Sequence, residues 1–174
     1  TPAQAQVLQD ALDTTLPRLR QAQIGRLLPS GWNQPPLTEG HFGNDHLARA
    51  QVALKYIGML ESREATYPIA WHDGHGRPLN GAHRYRLRFA PGALPPVDAF
   101  WSLTMYDARD YMLVDNPIDR YAIGDRTPGL RPDADGGLTL YLQHAPPTDA
   151  AAHANWLPAP AGDFYVCLRA YVPR

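Results

Sequence analysis

From Phe100 to Arg174 the chain reads FWSLTMYD, NPIDRYAIGDR, DADGGLTLYLQH, NWLPAP and DFYVCLRAYVPR in that order. Aromatic runs with a period of two alternate with Pro, Gly and Asp, the residues that turn a chain sharply. Polar residues that rarely occur inside strands sit within these runs. Short strands at this spacing with no helical pattern between them predict an antiparallel sandwich or jelly roll.

Upstream, the period is different. Val7, Leu8, Ala11, Leu12, Thr15, Leu16 and Leu19 recur at helical spacing, with Pro17 expected to break, kink or restart the helix. A Pro/Gly-rich connector spans Pro29 to Gly43. Asn44 or Asp45 then caps a second helix with Leu47, Ala50, Leu54 and Ile57 on one face. From Thr66 the period falls to two. Thr66–Trp71 and His83–Phe89 flank a loop containing Asp73-Gly74 and Gly76, which reads as a hairpin with a long connection. In the second of these strands His83, Tyr85, Leu87 and Phe89 face one way and Arg84, Arg86 and Arg88 the other. Further strands are expected at Trp101–Tyr106, Tyr111–Val114, Leu138–Gln143 (after the Asp135-Gly136 turn) and Phe164–Val172. The expected organisation is therefore a helical segment and connector over 1–43, then a jelly-roll-like β domain with one leading helix over 44–174.

Composition narrows the function classes. A chain of 174 residues suits one domain burying roughly two-thirds of its unfolded surface. Eighteen prolines and 14 glycines agree with many short elements joined by turns. A net charge of -1 gives no basic field for nucleic acid. No apolar run approaches the ~20 residues of a membrane span. The single Cys167 excludes an internal disulfide framework and a cysteine metal cluster, and fits a periplasmic or secreted location as well as an internal one.

WSLTMYD at Trp101–Asp107, NPIDRYAIGDR at Asn116–Arg126, DGGLTLYLQ at Asp135–Gln143, NWLPAP at Asn155–Pro160 and LRAYVP at Leu168–Pro173 resemble, in order and spacing, the family called domain of unknown function 1214. HFGNDHLARA at His41–Ala50 and DGHGRPLNGAHRYRLRF at Asp73–Phe89 resemble its upstream part, so the likeness covers roughly Trp32 to Arg174. The family occurs as a short protein with an N-terminal membrane anchor, or as the second half of a longer protein in which domain of unknown function 1254 comes first. The helical front resembles the longer form. The resemblance implies a jelly-roll-like domain packed beside an immunoglobulin-like β domain. It implies no settled chemistry.

Candidate site residues lie mostly in those blocks. Arg120 and Arg126 have the geometry to clamp a carboxylate or phosphate, with Trp101, Tyr121 and Trp156 as apolar walls and Asn155 as a polar contact. The structural alternative pairs Arg120 with Asp115 or Asp119 and spends Asn155 on loop backbone. In the last strand Phe164, Val166, Leu168, Ala170 and Val172 form one apolar face. Tyr165, Cys167, Arg169 and Tyr171 form the other, which either lines a cavity or covers a neighbouring domain. Seven histidines include no HxH or HExxH, and His144, at a strand end, is the best single candidate among them. Asp133-Ala134-Asp135-Gly136 begins like a calcium loop but lacks the downstream bidentate Glu. No nucleophile elbow, phosphate-cradling loop or cofactor motif is present.

Two readings follow. One is a non-catalytic β domain that packs on a preceding domain or another copy of the chain and helps form a pocket for a small polar or anionic ligand. The other is a hydrolase of phosphate- or carboxylate-bearing small molecules, which requires Arg120, Arg126 and His144 to converge on one cavity.

Overall fold

A computed structural model describes residues 1–21, 25–35, 40–56 and 58–174. The chain begins with α1 (Pro2–Gln21), β1 (Arg26–Leu27), β2 (Trp32–Gln34) and α2 (His46–Lys55). Strands β3 (Ala65–Thr66), β4 (Ile69–Ala70), β5 (Tyr85–Phe89), β6 (Val97–Asp107), β7 (Ala122–Gly124) and β8 (Leu138–Gln143) follow. After them come α3 (Ala150–Ala154), β9 (Trp156–Pro158) and β10 (Phe164–Pro173). The protein is mainly β with an N-terminal helix.

Among the described residues the larger sheet runs β1-β2-β4-β10-β6-β7, with β3 also on β10, and all its pairings are antiparallel. The smaller sheet runs β5-β8-β9. There β5 and β8 are antiparallel, while β8 and β9 are parallel because the short helix α3 carries the chain back. Side chains of both sheets meet in one core. Leu140, Leu142 and Leu157 come from the smaller sheet, and Trp101, Leu103, Met105, Phe164 and Val166 from the larger.

Several local expectations change. The strand expected at Thr66–Trp71 is interrupted at Pro68, which has no N–H to give, and Leu168 N donates to the Pro68 carbonyl there at 2.8 Å. Thr66–Trp71 and His83–Phe89 do not form a hairpin; β4 and β5 lie in different sheets, and the connection between them folds back on itself at the His72–Pro78 bridge. The crossing occurs at Gly81, whose N–H donates to Gly162 O at 2.9 Å. A Cβ there would stand 1.7 Å from Pro160 O, so only glycine lets the two segments approach. Tyr111–Val114 forms no strand beyond the single Tyr106–Leu113 bridge, because Tyr111 adopts a φ of 64° and breaks the extended run.

The helices differ too. α1 continues through Pro17, where only one intrahelical bond is forfeited near the C-terminal end. None of its residues is buried, and Val7, Leu8 and Leu12 are exposed. Asp45 caps α2 by accepting from Ala48 N at 2.9 Å, as anticipated. Its buried residues are Gln51 and Val52, not Leu47 or Leu54, which are exposed. Ile57, expected on the same face, lies outside the described residues.

Candidate functional site

β10 carries the main core on one face and a second aromatic cluster on the other. The alternation read from the sequence holds: Phe164 and Val166 enter the main core, while Tyr165, Cys167 and Tyr171 join Ala65, Tyr67 and Ile69 on the opposite side. The residues after α2, the β3–β4 segment and the loop after β6 close over this second face. They leave a recess of about 390 Å³. Six of the nine tyrosines of the chain line it: Tyr56, Tyr67, Tyr106, Tyr111, Tyr165 and Tyr171.

Arg169 is the charged centre of this recess. It is half-buried, and its Nη1 donates to Thr104 Oγ1 and its Nη2 to the Tyr106 hydroxyl, both at 2.5 Å. Thr104 and Tyr106 stand on β6, where they point to the same face as Arg169 because Arg169 pairs with Ser102 and Cys167 with Thr104. Among the described residues Arg169 makes no ion pair. No described Asp or Glu lines the recess. Burial opposes the Arg169 charge, but Cys167 and the Tyr106 hydroxyl outweigh it and set the guanidinium above its ordinary pKa.

The aromatic groups form a stack behind Arg169. Trp71 lies on Tyr165 at 4.1 Å, Tyr165 on Tyr106 at 5.0 Å, and the Arg169 guanidinium is 5.6 Å from the Tyr106 ring centre. The stack covers the ring faces of Tyr165, so its polar contribution to the recess is its hydroxyl. Burial pushes Tyr165 far above the usual phenol range and raises Tyr67 as well, so both stay neutral. The Tyr67 hydroxyl already accepts from Leu60 N at 3.1 Å, and the Tyr106 hydroxyl already accepts from Arg169. Each therefore keeps its own proton to donate. The recess thus offers guanidinium and hydroxyl donors and is lined by no described carboxylate. Lys55, at the C-terminal end of α2, also lines it, and burial lowers its pKa.

The other sequence-proposed residues lie elsewhere. Arg120 Nη1 donates to Ala154 O at 3.0 Å and to Trp156 O at 2.8 Å. Between those two carbonyls sits buried Asn155, which accepts from Arg131 N at 2.9 Å and donates to Arg131 O and Thr139 O at 2.7 and 3.0 Å. Trp156 is buried, its Nε1 donating to Gln143 O at 2.8 Å. His144 Nδ1 is 2.9 Å from Ala159 O. Trp101 is in the core beside Phe89. Arg126 is exposed with its guanidinium 3.9 Å from the Phe100 ring centre. Trp101, Arg120, Tyr121 and Arg126 border a shallow recess of about 660 Å³ that His144 does not line. Asp133 and Asp135 of the calcium-like turn both pair with Arg88.

Of the residues proposed from sequence, Arg169 lines the tyrosine recess together with Tyr165, Cys167 and Tyr171 of the same strand face. Tyr56, Tyr67, Tyr106, Tyr111 and Thr104 were missed. A tyrosine on the outward face of two neighbouring strands, beside the outward Arg169, was the available signal. Among the described residues no three His, Cys, Asp or Glu side chains gather as a metal site, and no helix is long and apolar enough to cross a membrane.

These features define a mainly β domain with an aromatic, cationic recess on the outer face of its larger sheet. The chain belongs to the family described as protein of unknown function (DUF1214), which it matches over residues 64–174. The crystal structure of the VPA0106 protein from Vibrio parahaemolyticus is similar over 100% of this chain, with a TM-score of 0.62 and 25% identity. The match spans 42% of that chain. An uncharacterized protein from Burkholderia cenocepacia gives a weaker likeness, with a TM-score of 0.39 and 14% identity over 66% of this chain and 26% of its own. No curated protein matches the chain.

Proposed function

We propose that this domain contributes a binding pocket for a small anionic ligand, with Arg169 as its anchor. One observation carries the reading: a half-buried guanidinium, held by Thr104 and Tyr106, stands in a recess of about 390 Å³ without a described carboxylate. Volumes of ~300–1,000 Å³ suit small ligands. The half-buried guanidinium has hydrogen-bond partners but no counter-ion among the described residues, and an anion with several acceptor oxygens supplies one. Tyr67 and Tyr106 supply further donors, and the stacked rings fix Arg169 in place.

The domain is also proposed to adopt jelly-roll connectivity and to work beside a preceding domain of the 1254 type. Support for the second point is the exposed apolar stripe of Val7, Leu8 and Leu12, together with the 42% share of the longer Vibrio chain that this domain matches. Arg120 and His144 are spent on backbone carbonyls in different places, so the hydrolase reading gains no support from them.

Isothermal titration with benzoate, its neutral analogue benzamide and inorganic phosphate tests the pocket. An anion should bind the wild type, and Arg169→Gln should weaken it by about 10- to 100-fold, the scale of a hydrogen bond to a charged group. Arg169→Lys keeps the charge and should retain part of the affinity. Benzamide binding as tightly as benzoate, or an unchanged affinity in a folded Arg169→Gln protein, refutes the reading.

A further inference from the structure

Among the described residues β5 is the outer strand of the smaller sheet, and a recess of about 380 Å³ lies beside it. Trp32 of β2, Ala70 of β4 and Val166 of β10 line this recess from the larger sheet, and Leu87 of β5 and Leu142 of β8 from the smaller. All five belong to the main hydrophobic core or pack against it. The recess is thus a gap between the two layers, walled by core side chains of both.

Its polar lining has a different character. Arg77, Arg84 and Arg86 line the recess with one described carboxylate, Asp73. Asp73 is already engaged: its Oδ2 pairs with the Arg77 guanidinium at 2.7 Å, and its Oδ1 accepts from His75 N and Arg77 N at 2.9 and 3.0 Å. The charges of Arg84 and Arg86 are therefore in excess. Neither makes an ion pair among the described residues, and both are exposed. The Arg86 guanidinium lies 5.8 Å from the Tyr141 ring centre, a contact that keeps its charge. Asp73 N also donates to Arg77 O at 2.8 Å and Leu79 N to Trp71 O at 2.9 Å, so the turn that lines the recess is braced in place.

Neither half would specify a ligand alone. Exposed arginines are ordinarily solvated, and a small apolar gap is ordinarily a packing fault. In one recess they suit a molecule with an acidic head and an apolar chain, because the chain is withdrawn from water while the head stays at a cationic rim. We infer that this gap is a second binding site, separate from the recess at Arg169, for a single-chain amphipathic carboxylate. The carboxylate meets Arg84 and Arg86, and the chain lies against Leu87, Leu142 and Val166.

Isothermal titration of the intact chain with butanoate, hexanoate and octanoate, and with hexanamide as the neutral partner of hexanoate, tests this. Affinity should rise up to about fourfold per buried methylene, and hexanoate should bind tighter than hexanamide. The double variant Arg84→Gln/Arg86→Gln, with an unchanged circular dichroism spectrum, should weaken octanoate about five- to 25-fold, the upper range for two exposed ion pairs. Arg169→Gln should leave octanoate binding intact. As a reading of position, 8-bromooctanoate should quench tryptophan fluorescence, and Trp32→Phe should remove that quenching. No gain with chain length, hexanamide equal to hexanoate, or a folded double variant that binds octanoate like the wild type refutes the inference. Octanoate binding lost in Arg169→Gln but kept in the double variant refutes it too, while the anion reading at Arg169 stands. The benzoate titration decides that reading separately.

Discussion

Replacing Asn155 by alanine should destabilise the fold by about 3–5 kcal/mol. The side chain is 2% exposed and serves three backbone groups: Arg131 N, Arg131 O and Thr139 O. Arg131 is exposed, so its two groups can turn to water and each lost bond costs about 1 kcal/mol. The Thr139 carbonyl sits in the interior, where an orphaned acceptor costs about 1–3 kcal/mol. Against a typical total of about 5–15 kcal/mol this is a large fraction. Urea unfolding followed by tryptophan fluorescence and circular dichroism measures it, provided the two probes coincide and the slope is unchanged. Arg120 grips the carbonyls on either side of the same residue, so Arg120→Met and Asn155→Ala should be coupled by about 0.5–3 kcal/mol in a double-mutant cycle. A loss below about 1 kcal/mol for Asn155→Ala, at constant slope, refutes the clamp argument. So does a folded Asn155→Ala protein that has lost anion binding at Arg169, since the clamp predicts an unchanged affinity.

Three further substitutions test the scaffold. Gly124→Ala places a Cβ 2.1 Å from Trp101 O on the paired strand, and the strand shift needed to relieve it should cost about 1–3 kcal/mol in a thermal or urea melt. Val172 is β-branched at a φ of 51° where β10 bulges, so Val172→Gly should stabilise by about 1 kcal/mol; a lower melting midpoint contradicts the strain. Asp73 accepts from Arg77 N, from the Arg77 guanidinium and from His75 N, which together hold its pKa down at about 2. A depressed carboxylate stabilises above its unfolded pKa of about 3.9 and loses that contribution as pH falls through the folded value. The stability gap between wild type and Asp73→Asn should thus be full at neutral pH and close between about pH 4 and 2; a gap independent of pH removes the argument.

The parts of the fold legible in the sequence were those where one residue type answers to one local constraint. Leu138–Gln143 begins where Asp135-Gly136 turns the chain, and Asp45 caps its helix. The two faces of β10 followed from strict alternation. Pairing partners were not legible in the same way. Whether Tyr85–Phe89 pairs with its upstream neighbour or with Leu138–Gln143 depends on the crossing at Gly81, which is decided by contact with Pro160 and Gly162, some eighty residues away. The site failed for a related reason. Arg120, Asn155 and Trp156 carry polar groups in turn-rich blocks, which is also what a chain needs to bind its own loops. Arg169 stood out because no neighbour in sequence could satisfy it, but its companions Tyr67, Tyr106 and Tyr111 come from three separate segments.

β10 lies between β4 and β6 and contributes to both aromatic cores. It is synthesised after every strand it pairs with. While it is still inside the ribosome, β4 and β6 have no shared partner and expose open edges. The larger sheet therefore closes in one late step rather than growing strand by strand, and most of its pairings are long-range. A chain shortened before Phe164 keeps most of its hydrophobic residues but loses the strand that lies between β4 and β6 and contributes to both clusters, so it should expose those edges and aggregate.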